Sequence, residues 1–251
     1  MKRGAGPRKY LESVGLPIWT EALAGVELGF LWMSPIFPGY GVPRGDGSGV
    51  VLVPGFLSTD FYMTQFYGWL RRLGYRPYFS GISFNAECPN LLIRQYLTTA
   101  IQSAYKSTAR RVHVIGHSLG GTMARAIAAQ MPDRIASIIT LAAPIHGVAG
   151  HAAVLRVAQM VRKKILERHG RKVLPDCYTA RCTCDFLLAI RGEFPKSVRQ
   201  TAIYSKCDGI VDWRVCRTGN RHIDVEVSST HLGLVCSPLV YQVVGERLAG
   251  R

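Results

Sequence analysis

Acidic residues are scarce in this chain: 16 Asp and Glu stand against 31 Lys and Arg, for a formal net charge of +15. Charge of either sign is thin, at 19% of residues, while 48% are hydrophobic, which supplies a large core with apolar residues left over for a pocket or lid. The basic residues form no dense tail. They are spread, with pairs at Arg71-Arg72 and Arg110-Arg111 and one richer stretch over 156–172. Such a spread reads as a solubilising surface, and no nucleic-acid partner is expected. Long apolar runs are missing too. The most apolar early stretch, 23–33, contains Glu27, stops before Pro35 and is too short to span a bilayer. No apolar leader follows Met1-Lys2-Arg3, so a cytoplasmic location is the expectation. There is no internal repeat and no low-complexity tract. The seven cysteines are an odd number, so at least one is free or bonded to another chain.

Residues 8–33 read as one or two amphipathic helices carrying Leu11, Val14, Ile18, Trp19, Leu23, Val26 and Phe30. Prolines and glycines between 35 and 49 mark an irregular connector. Strand and helix patterns then alternate. Apolar runs at 50–53, 75–80, 112–115, 135–141, 198–204 and 224–227 are separated by helical patterns at 64–73, 91–106 and 119–131, with a closing helix at 238–248. Near-continuous apolar strands alternating with helices predict an α/β fold: a parallel, six-stranded sheet covered on both faces. Sites on such sheets lie at the carboxyl ends of the strands.

Gly116-His117-Ser118-Leu119-Gly120 is a G-x-S-x-G motif set directly between an apolar strand and a helix. That setting is what a nucleophile elbow requires, and it makes Ser118 the candidate nucleophile. A serine hydroxyl needs a base, and the base needs an orienting acid, in the chain order Ser, acid, His. Asp208 follows the fifth strand pattern, and Asp212, four residues on, remains open as the alternative. His231 follows the last strand and is the candidate base. His222 precedes that strand, and His113 lies inside the nucleophile strand. His117 and His146 stand as pocket-bordering candidates. Backbone N–H groups of Leu119 and Phe56 are the candidate oxyanion donors.

Other patterns point elsewhere. Cys177, Cys182 and Cys184 with His169 match no standard metal spacing, so no metal and no cofactor is expected. Cys207, beside the acid, could pair with Cys236 or Cys216; free thiols are the alternative. Residues 150–168 carry an apolar helical stripe of Val154, Val157, Ala158, Val161 and Ile165. The stripe is expected to border the pocket, with Val161 and Ile165 selecting the acyl chain. The basic outer face of this insertion suits contact with an anionic surface.

With these residues in hand, the chain resembles the bacterial lipases and esterases of the α/β-hydrolase superfamily, over roughly residues 44–249. The landmarks are Val51-Leu52-Val53-Pro54-Gly55-Phe56, Gly116-His117-Ser118-Leu119-Gly120-Gly121, Ile203-Tyr204-Ser205-Lys206-Cys207-Asp208-Gly209-Ile210-Val211 and His231-Leu232-Gly233-Leu234. In that family the acid matches Asp208, the base His231 and the first oxyanion donor Phe56. Where many lipases have His-Gly, this chain has Pro54-Gly55. The chain is thus expected to divide into a helical segment and connector (1–43), a minimal hydrolase core (44–146 and 198–251) and a cap (147–197). The resemblance implies a carboxylic-ester hydrolase working through an acyl-enzyme on a small-molecule or lipid ester. An acyltransferase or thioesterase on the same triad, or a non-catalytic binding protein, are the alternatives.

Overall fold

Six short segments, most of them apolar, become the six strands of one sheet. They are β1 (Gly49–Val53), β2 (Arg76–Phe79), β3 (Val112–His117), β4 (Ile135–Leu141), β5 (Arg199–Tyr204) and β6 (Asp224–Glu226). The computed structural model describes residues 11–12, 16–169 and 183–250. Strand order is β2-β1-β3-β4-β5-β6, and every neighbouring pair is parallel. Helices cover the sheet: α1 (Ala24–Met33), α2 (Thr64–Leu73), α4 (Leu119–Gln130), α5 (Ala152–His169), α6 (Asp185–Arg191) and α7 (Pro238–Leu248). Between α2 and α4, α3 runs through Pro89–Leu92, a π-helical turn at Ile93–Leu97 and Thr98–Thr108.

Strand side chains alternate between faces, and the core divides accordingly. Val51, Val53, Val112 and Val114 pack with α3 and α4 through Leu97, Ile101, Met123 and Ile127. Val50, Leu52, Ile115 and Ile139 pack on the other face with Phe66, Trp69, Tyr241 and Val244 of α2 and α7. Every residue of β1 and β3 is buried, as the runs without polar alternation imply. Because all six strands point one way, the loops leaving their carboxyl ends gather on one edge. Three non-glycine residues there have positive φ: Leu57 at 58°, Ser118 at 50° and Ala142 at 48°. Such backbone costs about 1–3 kcal/mol each, and it concentrates where function needs it.

Two expectations are corrected. As an amphipathic helix, the N-terminal stretch should turn its apolar residues inward. Instead a 3₁₀ segment, Ile18–Leu23, and α1 leave Ile18, Trp19, Leu23, Val26 and Phe30 exposed, while Glu21 is buried and Leu31 reaches the core. The carboxylates of Glu21 and Glu27 face inward because backbone N–H donors wait for them on the loop after β6. Farther back, Leu11–Glu12 pairs in parallel with Ala149–Gly150; Val14 lies outside the described residues.

The second correction concerns the insertion after β4. The two stripe residues expected to select the acyl chain pack on the core instead. Ile165 is 5% exposed and joins Phe186, Met123 and Ile127 in the core, with Val161 partly buried against them. Arg168 and His169, at the end of α5, reach Glu87 at 3.2 and 3.1 Å. An apolar stripe packs on the nearest dry surface, and here that surface is the layer of α3 and α4. Ile165→Ala should therefore destabilise the fold by roughly 2–5 kcal/mol. Urea unfolding measures this loss, and the ratio of kcat/KM for short and medium acyl esters should stay unchanged.

Candidate active site

The elbow is built from backbone. Ser118 directly follows β3 and caps α4 with φ 50° and ψ −123°. Its N–H bonds the Leu141 carbonyl at 2.7 Å, and its own carbonyl accepts from Gly121 and Thr122 at 2.9 and 3.2 Å. The helix must begin close under β1, and only glycine allows that. A Cβ on Gly120 would fall 2.4 Å from the carbonyl oxygens of both Val53 and Pro54. Ser118 is 8% exposed, at the positive end of a 12-residue helix.

The oxyanion candidates sit beside it. A Cβ on Gly55 would lie 3.2 Å from Ser118 Cβ, so the loop after β1 passes against the nucleophile. The amides of Phe56 and Leu119 engage no protein acceptor among the described residues. Asn85, fully buried, clamps this loop. Its Nδ2 donates to the Pro54 carbonyl at 2.8 Å, its carbonyl accepts from Leu57 N–H at 2.9 Å, and its N–H donates to Ser58 at 2.8 Å. No motif in the sequence marks Asn85. A groove of about 410 Å³, lined by Leu57, Phe61, Tyr62 and Gln65 among others, opens beside the loop.

The candidate acid and base meet as a buried pair: His231 Nδ1 lies 2.7 Å from Asp208 Oδ2, with side chains 4% and 1% exposed. The other oxygen, Asp208 Oδ1, accepts from the amides of Ile210 at 2.8 Å and Val211 at 2.7 Å. These two amides fix the orientation of the carboxylate and leave Oδ2 facing His231. Asp212 is occupied elsewhere. It caps the short helix Trp213–Cys216, accepting from Arg214 N–H at 2.9 Å and pairing with the Arg214 guanidinium at 3.1 Å. Ser205 ties the acid loop to the base loop, donating to the Ser229 carbonyl at 2.5 Å and accepting from Ser229 and Cys207 N–H.

His117, next to Ser118, links the candidate nucleophile to the loop that carries His231. Its Nε2 lies 3.0 Å from the His231 carbonyl, and the two rings are 4.6 Å apart. Since a carbonyl only accepts, His117 carries its proton on Nε2. Burial, then the nearby His231, holds its pKa well below the usual histidine value, so it is a neutral strut. Tyr62 donates from its hydroxyl to the Leu232 carbonyl at 2.6 Å and packs against the His117 ring. His146 is exposed, with its amide on the Val215 carbonyl, and none of its polar contacts reaches Ser118, Asp208 or His231. His113 is buried against Ser137 Oγ at 2.7 Å, with its pKa pushed down to about 4 by burial and by Arg199.

Cys207, Cys216 and Cys236 are free thiols, the first exposed and the others buried. Cys177 and Cys182 lie outside the described residues. Among the described residues no group of His, Cys, Asp or Glu is placed to hold a metal, and no helix is long and apolar enough to cross a membrane.

The sheet order, the elbow and the loop cluster define a class: this chain has the α/β-hydrolase fold. A metagenome-derived lipolytic enzyme superposes with a TM-score of 0.54 at 13% identity, over 84% of this chain and 96% of that one. A carboxylesterase from Bacillus subtilis gives 0.52 at 12%, over 93% and 98%. A monoacylglycerol lipase from Paleococcus ferrophilus gives 0.51 at 13%, over 83% and 96%. In sequence, the palmitoyl protein thioesterase family model matches residues 85–206, a span holding Ser118 but neither Asp208 nor His231. No curated protein sequence matches the chain.

Proposed function

We propose that the protein is a serine ester hydrolase acting through an acyl-enzyme on Ser118. The observation that carries the reading is the buried Asp208–His231 pair on the same edge as a strained, glycine-flanked Ser118. With Nδ1–H donated to Asp208, the neutral imidazole of His231 presents Nε2 as a bare base. It takes the hydroxyl proton of Ser118 as the oxygen attacks the ester carbonyl. The amides of Phe56 and Leu119 receive the oxyanion. The imidazolium, stabilised by Asp208, returns the proton to the leaving alkoxide, and the alcohol departs. A water then gives its proton to His231 and its oxygen to the acyl carbon. Collapse of that second intermediate returns the proton to Ser118 and frees the acid. Every charge in this cycle is met by backbone amides or the triad, so the chemistry calls for no cofactor. The groove lined by Leu57, Phe61 and Tyr62 offers room for the acyl chain.

A thioesterase on the same residues is the second reading, favoured by the palmitoyl protein thioesterase match. The test pairs an oxygen ester and a thioester of the same acyl chain, across a length series. Turnover of p-nitrophenyl esters is expected. A thioester kcat/KM higher by orders of magnitude would move the assignment to the second reading, and no turnover of either by folded protein would end both. Adding a primary alcohol tests acyl transfer, which should show as ester product at the expense of free acid.

A further inference from the structure

The stretch Ile18–Met33 precedes the part of the chain that carries nucleophile, acid and base, yet both its carboxylates end on the base loop. Glu21 is 5% exposed. Its Oε1 accepts from the N–H of Gly209 at 2.8 Å and of His231 at 3.1 Å, and its Oε2 accepts from Leu232 N–H at 2.8 Å. Glu27 takes the neighbouring donors: Thr230 N–H at 2.9 Å, Thr230 Oγ1 at 3.1 Å and Ser229 Oγ at 3.1 Å. We propose that Glu21 is a positioning residue for the base, joining the acid loop to the base loop through one carboxylate so that His231 meets Asp208 and Ser118 in reacting geometry. This rests on the reading of His231 as the base.

A carboxylate that merely anchored the N-terminal segment could bond any part of the edge. Glu21 instead holds the amide of the base residue itself, the amide after it and the amide after the acid. The remaining backbone groups of this turn are held as well, His231 C=O by His117 and Leu232 C=O by Tyr62. The base is therefore pinned from three elements, and Glu21 adds to the Ser205–Ser229 and Asp208–His231 links a charge-assisted bridge from a third segment to the backbone of both loops; such bonds are about twice as strong as neutral ones. The landmark glycine at 233 fits the same device. A Cβ there would fall 1.1 Å from Glu27 Oε2 and evict it.

The experiment is Glu21→Gln in the full chain, assayed on a p-nitrophenyl ester beside Ser118→Ala and His231→Ala. Glutamine keeps the shape but can turn only one oxygen to the amides, so its NH₂ opposes a backbone N–H. A displacement near 1 Å can cost about 10²-fold in rate, so kcat should fall by roughly 10–100-fold. KM should stay level, because the groove beside Leu57 is untouched. The rate of fluorophosphonate labelling of Ser118 should fall with kcat, since both need the base. Wild-type kcat in Glu21→Gln, with Ser118→Ala and His231→Ala inactive, overturns the inference and leaves the hydrolase reading standing. A parallel loss in KM also overturns it, in favour of a role in shaping the substrate groove. Full activity in Ser118→Ala or His231→Ala overturns the reading beneath. Should Glu21→Gln fail to fold, Gly209→Ala presses on the same carboxylate, its Cβ falling 2.9 Å from Glu21 Oε1. Wild-type kcat there is equally fatal to the proposal.

Discussion

Replacing Ser118 by alanine is expected to abolish ester turnover, with kcat falling by a factor on the order of 10⁶, the loss seen when a serine hydrolase loses its nucleophile. The fold should survive the change. The unusual φ of 50° at this position is held by the Leu141 and Gly121 hydrogen bonds and by the close approach of α4 to β1, none of which uses the hydroxyl. Alanine meets the same strain as serine, so urea midpoints should nearly coincide and the activity loss reports chemistry alone. A fluorophosphonate probe should label the wild-type chain at Ser118, seen by peptide mass spectrometry, and leave the variant bare. Persistent labelling of Ser118→Ala would place the nucleophile elsewhere.

The second large effect separates two aspartates four residues apart. Asp208→Asn should lower kcat by about 10⁴, as removal of an orienting carboxylate does when it forces the wrong imidazole tautomer. The geometry explains why. The amide oxygen of an asparagine there stays with the N–H groups of Ile210 and Val211, as Asp208 Oδ1 does now. Its NH₂ then faces His231 Nδ1, which must become an acceptor. The ring proton moves to Nε2, and the base can no longer take the proton of Ser118. Asp212→Asn should stay near wild-type turnover, because asparagine caps the Trp213–Cys216 turn about as well as aspartate does. The change also removes the charge that pairs with the Arg214 guanidinium, whose side chain is 66% exposed. If Asp212→Asn instead collapses while Asp208→Asn works, the acid is misassigned.

The elbow was legible because its signals are local. Strand, turn, serine and helix lie within a dozen residues, and the flanking glycines follow from the space between α4 and β1. The central strands β1, β3 and β4 were legible for a related reason: runs buried on both faces need no alternation, so the apolar pattern shows their position directly. The ambiguity between Asp208 and Asp212 had a different origin. Both follow β5, and only the turn that hands Oδ1 to two amides decides which carboxylate faces the histidine.

The stripe on α5 shows a further limit. Periodicity identified Val161 and Ile165 as one face of a helix, but periodicity carries no information about what covers that face, and the core covered it. The N-terminal segment reversed the expected orientation because two carboxylates found backbone donors inside. Asn85, Tyr62, Glu21 and Glu27 left no mark in the sequence, since each acts through contacts with distant loops.

By itself, then, the sequence marked the central strands, the elbow and the candidate serine, aspartate and histidine, each through a local pattern of neighbouring residues. Only the tertiary structure decided which aspartate meets His231, which way the N-terminal segment faces and what holds the His231 loop. Those outcomes depend on hydrogen bonds such as Glu21 to His231, 210 positions apart, and a bond across that distance imposes no spacing or composition on the residues between.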